Sequence, residues 1–357
     1  MAIGAIALFL VLTFISYSAA TPEKPAFTVG WSVYVGWNPY YYMTRSGIMK
    51  KWADKYGIAI KVQRFDYAPS LEAFVAKNID ACAMTNMEAL DMPAASGVDT
   101  TAVIVGDYSN GNDAVLTRNG VTLKTLPGKK LLLVEKTVSQ YLFERGMAMN
   151  GMESQIKRVQ LVNTSDSDIA AAFMSDKSHE AVVTWKPLVS QISKLPGVTN
   201  IFNSSQIPGE ILDLTVIRTD VLNRADGSGQ RFAKALAGAW YETMAVMSGR
   251  GAATEKALTV MAEGSQDSLT SYKEQLGTTH MLYTPGSGLD LATSADMKQK
   301  MTLVKQFCFS HGLLGEHTGS IDDVAIRYPD GSVQGKQDRV RLRFETAYMK
   351  MAAQGAL

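Results

Sequence analysis

The sequence predicts a two-lobed α/β protein in which one lobe is inserted between two pieces of the other. Three observations carry this. From Phe27 onward, strand-like and helix-like stretches alternate, the order that builds a mostly parallel sheet covered by helices on both faces. Two polar stretches, Asp107 to Asp113 (DYSNGND) and Asn203 to Glu210 (NSSQIPGE), break that rhythm and enclose a complete strand–helix series. The chain has 357 residues, more than a single core usually serves. The expected lobes are residues 27–107 with 214–357, and residues 112–210, joined by two crossings near 107–113 and 208–214.

The first lobe opens with FTVGWSVYV, Phe27 to Val35, as a strand. The chain turns at Gly36. Asn38 suits a helix N-cap and Pro39 the first helical position, where a missing N–H costs nothing. A helix from Pro39 to Tyr56 is expected to stop at Gly57. IAIKVQRF alternates in polarity and reads as a second strand. Ser70 caps LEAFVAK, which leads into the apolar strand IDACAMT. Asn86 opens a further helix with Pro93 near its end, and TTAVIVGDY is a fourth strand.

In the inserted segment AVLTR, LLLVE, RVQLV, EAVVTW and Val198 to Phe202 read as strands. Helices are expected from Ser139 to Asn150, around IAAAFMS, and after Pro187. ILDLTVIR returns as a strand. From Gly229 the pattern is mostly helical; RYPDGSVQG is a turn-rich loop, and VRLRFETAYMKMAAQ reads as a closing helix.

Residues 1–20 stand apart. MAIGAIALFLVLTFISYSAA carries no charge and ends in small residues, which predicts a secretory signal peptide cleaved after about Ala20. No Lys or Arg precedes its apolar run, so an uncleaved anchor is the competing reading. Cys82 falls in an apolar strand and Cys308 in a helical run, which favours two separate buried thiols over a disulfide. The 35 basic and 34 acidic side chains leave no basic excess for a nucleic acid. No metal-binding, nucleophile-elbow or phosphate-loop motif occurs. Cys308 and His311 share one helical stretch without further ligands, so neither metal nor cofactor is expected.

The stretch VGWNPYYYM, Val35 to Met43, places aromatics where a strand ends and a helix begins. Open α/β sheets bind ligands at such places. Together with NIDACAMTN, DYSNGND, VSQYLFERGM and VVTWKP, it carries a resemblance to the solute-binding proteins of ABC importers, in the nitrate/taurine class. Within that class the chain is most similar to the subgroup encoded with urea carboxylase-type enzymes. The resemblance implies a periplasmic binding protein fold of two lobes closing over a cleft. It also implies a monomeric periplasmic protein that performs no chemistry and delivers a small molecule to a membrane permease powered by a separate ATPase.

Carried onto this sequence, the cleft loops are Trp37, Asn38 and Tyr40; Thr85, Asn86 and Glu88; Asp107, Ser109, Asn112 and Asp113; Val138 and Ser139; Thr184, Trp185 and Lys186; and Asp213. Binders of nitrate or sulfonate offer cations or free helix N-termini to the anion. Here acids, amides and aromatics dominate, and Lys186 is the one cation. That set suits a guanidinium-like ligand, or a urea-like one. Each acid also has a structural reading: Asp107 and Asp113 as turn residues, Glu88 as a dipole partner in a first helical turn, Asp213 as a hinge anchor. Ser139 reads as a helix cap as well. The alternatives are an anion or pyrimidine binder using Lys186 and Ser139, a pyrimidine-synthase-like enzyme, and a binding protein that reports to a sensor.

Overall fold

The computed structural model describes residues 23–316 and 318–357; the expected signal segment and its cleavage site lie outside the described residues. The described residues form fourteen strands in chain order: β1 (Ala26–Trp31), β2 (Ala59–Arg64), β3 (Ala81–Thr85), β4 (Thr100–Ser109), β5 (Ala114–Thr117), β6 (Lys130–Leu133), β7 (Gln160–Asn163), β8 (Ala181–Thr184), β9 (Thr199–Asn203), β10 (Leu212–Arg218), β11 (Thr279–Met281), β12 (Ala325–Arg327), β13 (Val333–Gln334) and β14 (Val340–Phe344). They make two sheets. One runs β13-β12-β14-β4-β10-β3-β1-β2 with β11 paired to β4; the other runs β7-β6-β8-β5-β9. The first therefore draws on both ends of the chain and the second only on residues 114–203. The two polar stretches are the crossings between them.

The sheets are mixed where a mostly parallel pattern was expected. β1 is parallel to β2 and β3, but β10 is antiparallel to both β3 and β4. The reason is the crossings themselves. A strand that returns from the inserted segment without a helical crossover enters its sheet in the opposite sense. The second sheet repeats this: β6 is parallel to β7 and β8, while β5 is antiparallel to β8 and β9.

Local differences have local causes. The expected helix Pro39–Tyr56 is two helices, α1 (Pro39–Arg45) and α2 (Ile48–Lys55), broken at Gly47, whose φ is +82°. After β3 the chain makes a short wide turn, Leu90–Ala94, with Pro93 inside it; a proline there removes the donor that a tighter helix would use. The stretch VRLRF is β14, parallel to β4, so the closing helix spans only Ala347–Ala353. Its alternation of buried Val340, Leu342 and Phe344 with half-buried Arg341 and Arg343 is a strand period.

A continuous apolar core joins the large sheet to the long helix Ser228–Met247, which buries Phe232, Leu236, Trp240 and Met244. A smaller cluster around Leu116, Leu132, Phe173 and Ile192 fills the far side of the second sheet. Cys82 and Cys308 are both buried and free. Among the described residues no helix is long and apolar enough to cross a membrane. The helices that position the cleft are α1, α3 (Tyr67–Val75) and α4 (Val138–Met149).

Candidate functional site

A cavity lies where the ends of β3, β8 and β10 meet the turn after β1. It is small, with room for a ligand of only a few heavy atoms. One wall is aromatic. Tyr34 and Trp37 meet edge-on at 5.2 Å, Trp37 and Tyr67 at 5.3 Å, and Tyr67 and Trp185 at 6.0 Å between ring centroids. Opposite stand Thr85, Asp113 and Asp213, with Val138 and Ile211 closing the sides.

Local folding explains the wall. The backbone N–H groups of Trp37 and Asn38 both donate to the carbonyl of Tyr34, at 2.9 and 3.0 Å. That tight turn brings two aromatics three residues apart to one face. Gly36 lies inside it. A Cβ there would collide with the Asp107 carboxylate and come within 2.7 Å of the Tyr34 ring. Tyr67 begins α3 at the end of β2, and its hydroxyl accepts from the backbone N–H of Thr85 at 3.1 Å.

The floor is acidic. Asp107 and Asp213 are partners across the antiparallel pair β4–β10. The Tyr34 hydroxyl donates to Asp107 Oδ1 at 3.2 Å, and Asn112 Nδ2 donates to the Tyr34 oxygen at 3.3 Å. Oδ2 of Asp107 and Oδ2 of Asp213 have no hydrogen-bond partner in the protein. Glu88, Asp107, Asp113 and Asp213 are each at most 3 % exposed. Burial pushes the Asp107 carboxyl up to about 7, against the hydrogen bond from Tyr34. Burial also takes Asp113 to about 7. Asp213 is held well above the usual range by burial and then by the neighbouring charge of Asp107. Glu88 is raised by burial, against hydrogen bonds from Thr85 and the Val138 backbone.

No Arg, Lys or His lines this cavity among the described residues. Lys186 turns away: its ammonium donates to the Thr278 hydroxyl at 2.7 Å. Arg145 is taken up by Glu210, in a two-point pair at 2.8 and 2.9 Å. His179 contacts Asp176, His280 stacks on Tyr108, and His311 accompanies Glu144.

Of the residues expected from the sequence, the structure gathers Trp37, Thr85, Trp185 and Asp213 at the cavity. Asp107 pairs with Asp213 across the ladder and Glu88 bonds to Thr85, and neither lines the cavity itself. Asp113 also reaches the cavity. Five are corrected, because their polar atoms are already engaged inside the protein. Asn38 does not cap α1; its amide donates to Met261 O and Ser265 Oγ, tying the turn to the helix Ala252–Gly264. Tyr40 packs on Trp240 and bonds to Thr215 Oγ1 at 2.5 Å. Asn86 donates to Glu210 O and accepts from Leu212 N, both at 3.0 Å, zipping the return crossing to β3. Ser109 bonds to Asp113 and to Ser204 Oγ across the two crossings. Asn112 is held by Tyr34 and Thr279. Thr137, not Ser139, caps α4; the Ser139 hydroxyl is buried without a partner one residue beyond the Val138 wall.

Tyr34, Tyr67 and Ile211 were not foreseen. Tyr67 carries the same signal as Trp37, an aromatic at a strand-to-helix junction, and that signal applied to RFDYAPS finds it. Tyr34 reads as a strand residue until the turn that follows it is known.

No protein-family model matches the chain, and no curated protein matches it. Solved structures do. The alkanesulfonate-binding protein SsuA from Xanthomonas axonopodis pv. citri, bound to MOPS, aligns over 82% of this chain and 96% of its own at TM-score 0.65 and 14% identity. A putative sulfonate ABC transporter component, the periplasmic sulfonate-binding protein SsuA from Methylobacillus flagellatus KT, aligns over 94% and 96% at 0.65 and 11% identity. The periplasmic nitrate-binding protein NrtA from Synechocystis PCC 6803 aligns over 93% and 100% at 0.56 and 12% identity. The chain thus has the fold of periplasmic binding proteins.

Proposed function

We propose that the protein is the extracytoplasmic solute-binding component of an ABC import system, and that it captures a small nitrogen-rich ligand, guanidinium-like, between its lobes. The shared fold with sulfonate- and nitrate-binding proteins supports the transport role, with a membrane permease and its ATPase as partners. One observation carries the ligand class: two buried carboxyls, Asp113 and Asp213, line a cavity walled by aromatic rings, a third, Asp107, pairs with Asp213 across the ladder, and no cationic side chain lines it among the described residues. An unpaired charge removed from water is costly. A guanidinium supplies the missing charge and presents paired N–H groups to carboxylate oxygens. Trp37, Tyr67 and Trp185 add a face–cation attraction of about 0.5–2 kcal/mol. The anion reading loses its footing, because Lys186 points elsewhere and a carboxylate, Glu88, already faces the first N–H of α4.

Urea is the second reading. Asp107 and Asp213 face each other across the ladder; sharing one proton, they offer both a donor and acceptors to a neutral amide. An enzyme of the pyrimidine-synthase type needs a lysine to hold a pyridoxal cofactor, and none lines the cavity among the described residues.

A thermal-shift panel of guanidine, methylguanidine, urea, taurine, nitrate and aminopyrimidines tests this. A ligand at a hundred times its dissociation constant adds about 2.7 kcal/mol of stability. Guanidine is expected to give the largest shift; a shift by taurine or nitrate alone would overturn the ligand class.

A further inference from the structure

The first N–H groups of a helix have no acceptor within it. In α4 the N–H of Val138 is one of these, and its acceptor comes from the other lobe: Glu88 Oε1, at 3.1 Å. The second Glu88 oxygen accepts from the Thr85 hydroxyl, so the side chain is aimed and held from its own side. Glu88 is 1 % exposed. Val138 is itself a wall of the cavity. One lobe thus lends a carboxylate to a helix N-terminus of the other, and the helix so capped carries a cavity wall.

We propose that Glu88 is a positioning residue that fastens the closed form, acting on the ligand through Val138. The placement has the right sign: a carboxylate is favoured at a helix N-terminus by the helix dipole as well as by the hydrogen bond. It also separates the acids by task. Asp107 and Asp213 keep oxygens free of protein partners, whereas both oxygens of Glu88 are engaged by the protein itself. The inference rests on the reading of the cavity as a ligand site that opens and closes.

The test compares wild type with Glu88→Ala and Glu88→Gln. Guanidinium chloride is the probe for calorimetry, stopped-flow dissociation and small-angle scattering. Glu88→Ala is expected to weaken binding about tenfold or more, chiefly through faster dissociation, and to lessen the contraction seen on adding guanidinium. Glu88→Gln is expected to restore both, because its amide carbonyl still accepts from Val138. A Glu88→Gln variant as defective as Glu88→Ala would make the charge itself the requirement and overturn the clasp; so would a Glu88→Ala variant that binds and contracts like wild type. Amide exchange at Val138 reads the clasp with no ligand present. Protection lost in Glu88→Ala and kept in Glu88→Gln supports it, and equal exchange in all three proteins contradicts it. Should wild type ignore guanidinium, the ligand class fails while the exchange result still decides the clasp.

Discussion

At the scale of single residues the site is a set of acids held against their own preference. Asp107 and Asp113 have folded-state values near 7 against an unfolded value of 3.8. The folded state therefore binds more protons than the unfolded one between those values. Their contribution to stability is fully present below about 4 and is lost as pH rises through about 7. Ligand-free protein is expected to melt at progressively lower temperature as pH is raised from 5 to 8, so far as these two groups govern it. Saturating guanidinium should reverse the trend, which differential scanning calorimetry would show. Asp213→Asn removes one of the facing like charges at nearly constant shape. It should raise the ligand-free melting temperature by about 1–2 °C, the equivalent of about 1 kcal/mol in a chain of this size, while abolishing guanidinium binding by calorimetry. A variant that melts lower than wild type, or binds normally, would show that Asp213 is a hinge anchor only.

At the scale of elements, two glycines carry different loads. Gly36 sits in the turn that presents Tyr34 and Trp37, against the Asp107 carboxylate and the Tyr34 ring. Gly36→Ala should cost about 1–3 kcal/mol by overpacking and weaken ligand binding as well. Gly47 has φ +82° with open space around the missing side chain. Gly47→Ala should cost only about 1–2 kcal/mol of backbone strain and leave affinity unchanged. Paired chemical denaturation and titration would separate the two effects. The elements also show what the sequence made legible. Alternation identified β2 and the apolar runs identified β3 and β4, since burial pattern is a local property. VRLRF was read as helix because residues 345–354 continue it with helix formers, although its own period is two. Asn38 and Ser139 were read as caps from their residue type. The true partners, Met261 for Asn38 and Thr137 for α4, depend on tertiary contact and on where the helix begins. The sequence places Asn86 after β3 and Ser109 and Asn112 in the first polar stretch, but whether an amide or hydroxyl faces a ligand or its own backbone is decided by packing that no local pattern encodes.

For the whole molecule, one construction accounts for both the fold and the site. The chain leaves its first sheet along β4, builds the second sheet from residues 114–203, and returns along β10 beside the strand it left. That return sets Asp213 opposite Asp107, acids far apart in sequence, the one opening the first polar stretch and the other on the strand just past the second. The aromatic wall closes from both sides, Trp37 and Tyr67 with one sheet and Trp185 at the end of β8 in the other. The central claim is that this junction holds a small cation by its buried acids. Titration of the mature protein with guanidinium chloride at pH 6, 7 and 8, in buffers of differing ionisation enthalpy, tests it most directly. The account predicts saturable one-site binding that tightens as pH rises and releases protons, because the cation draws Asp107 and Asp113 down from values near 7. Absence of guanidinium binding at every pH, with saturable binding of taurine or nitrate in the same cell, would contradict it.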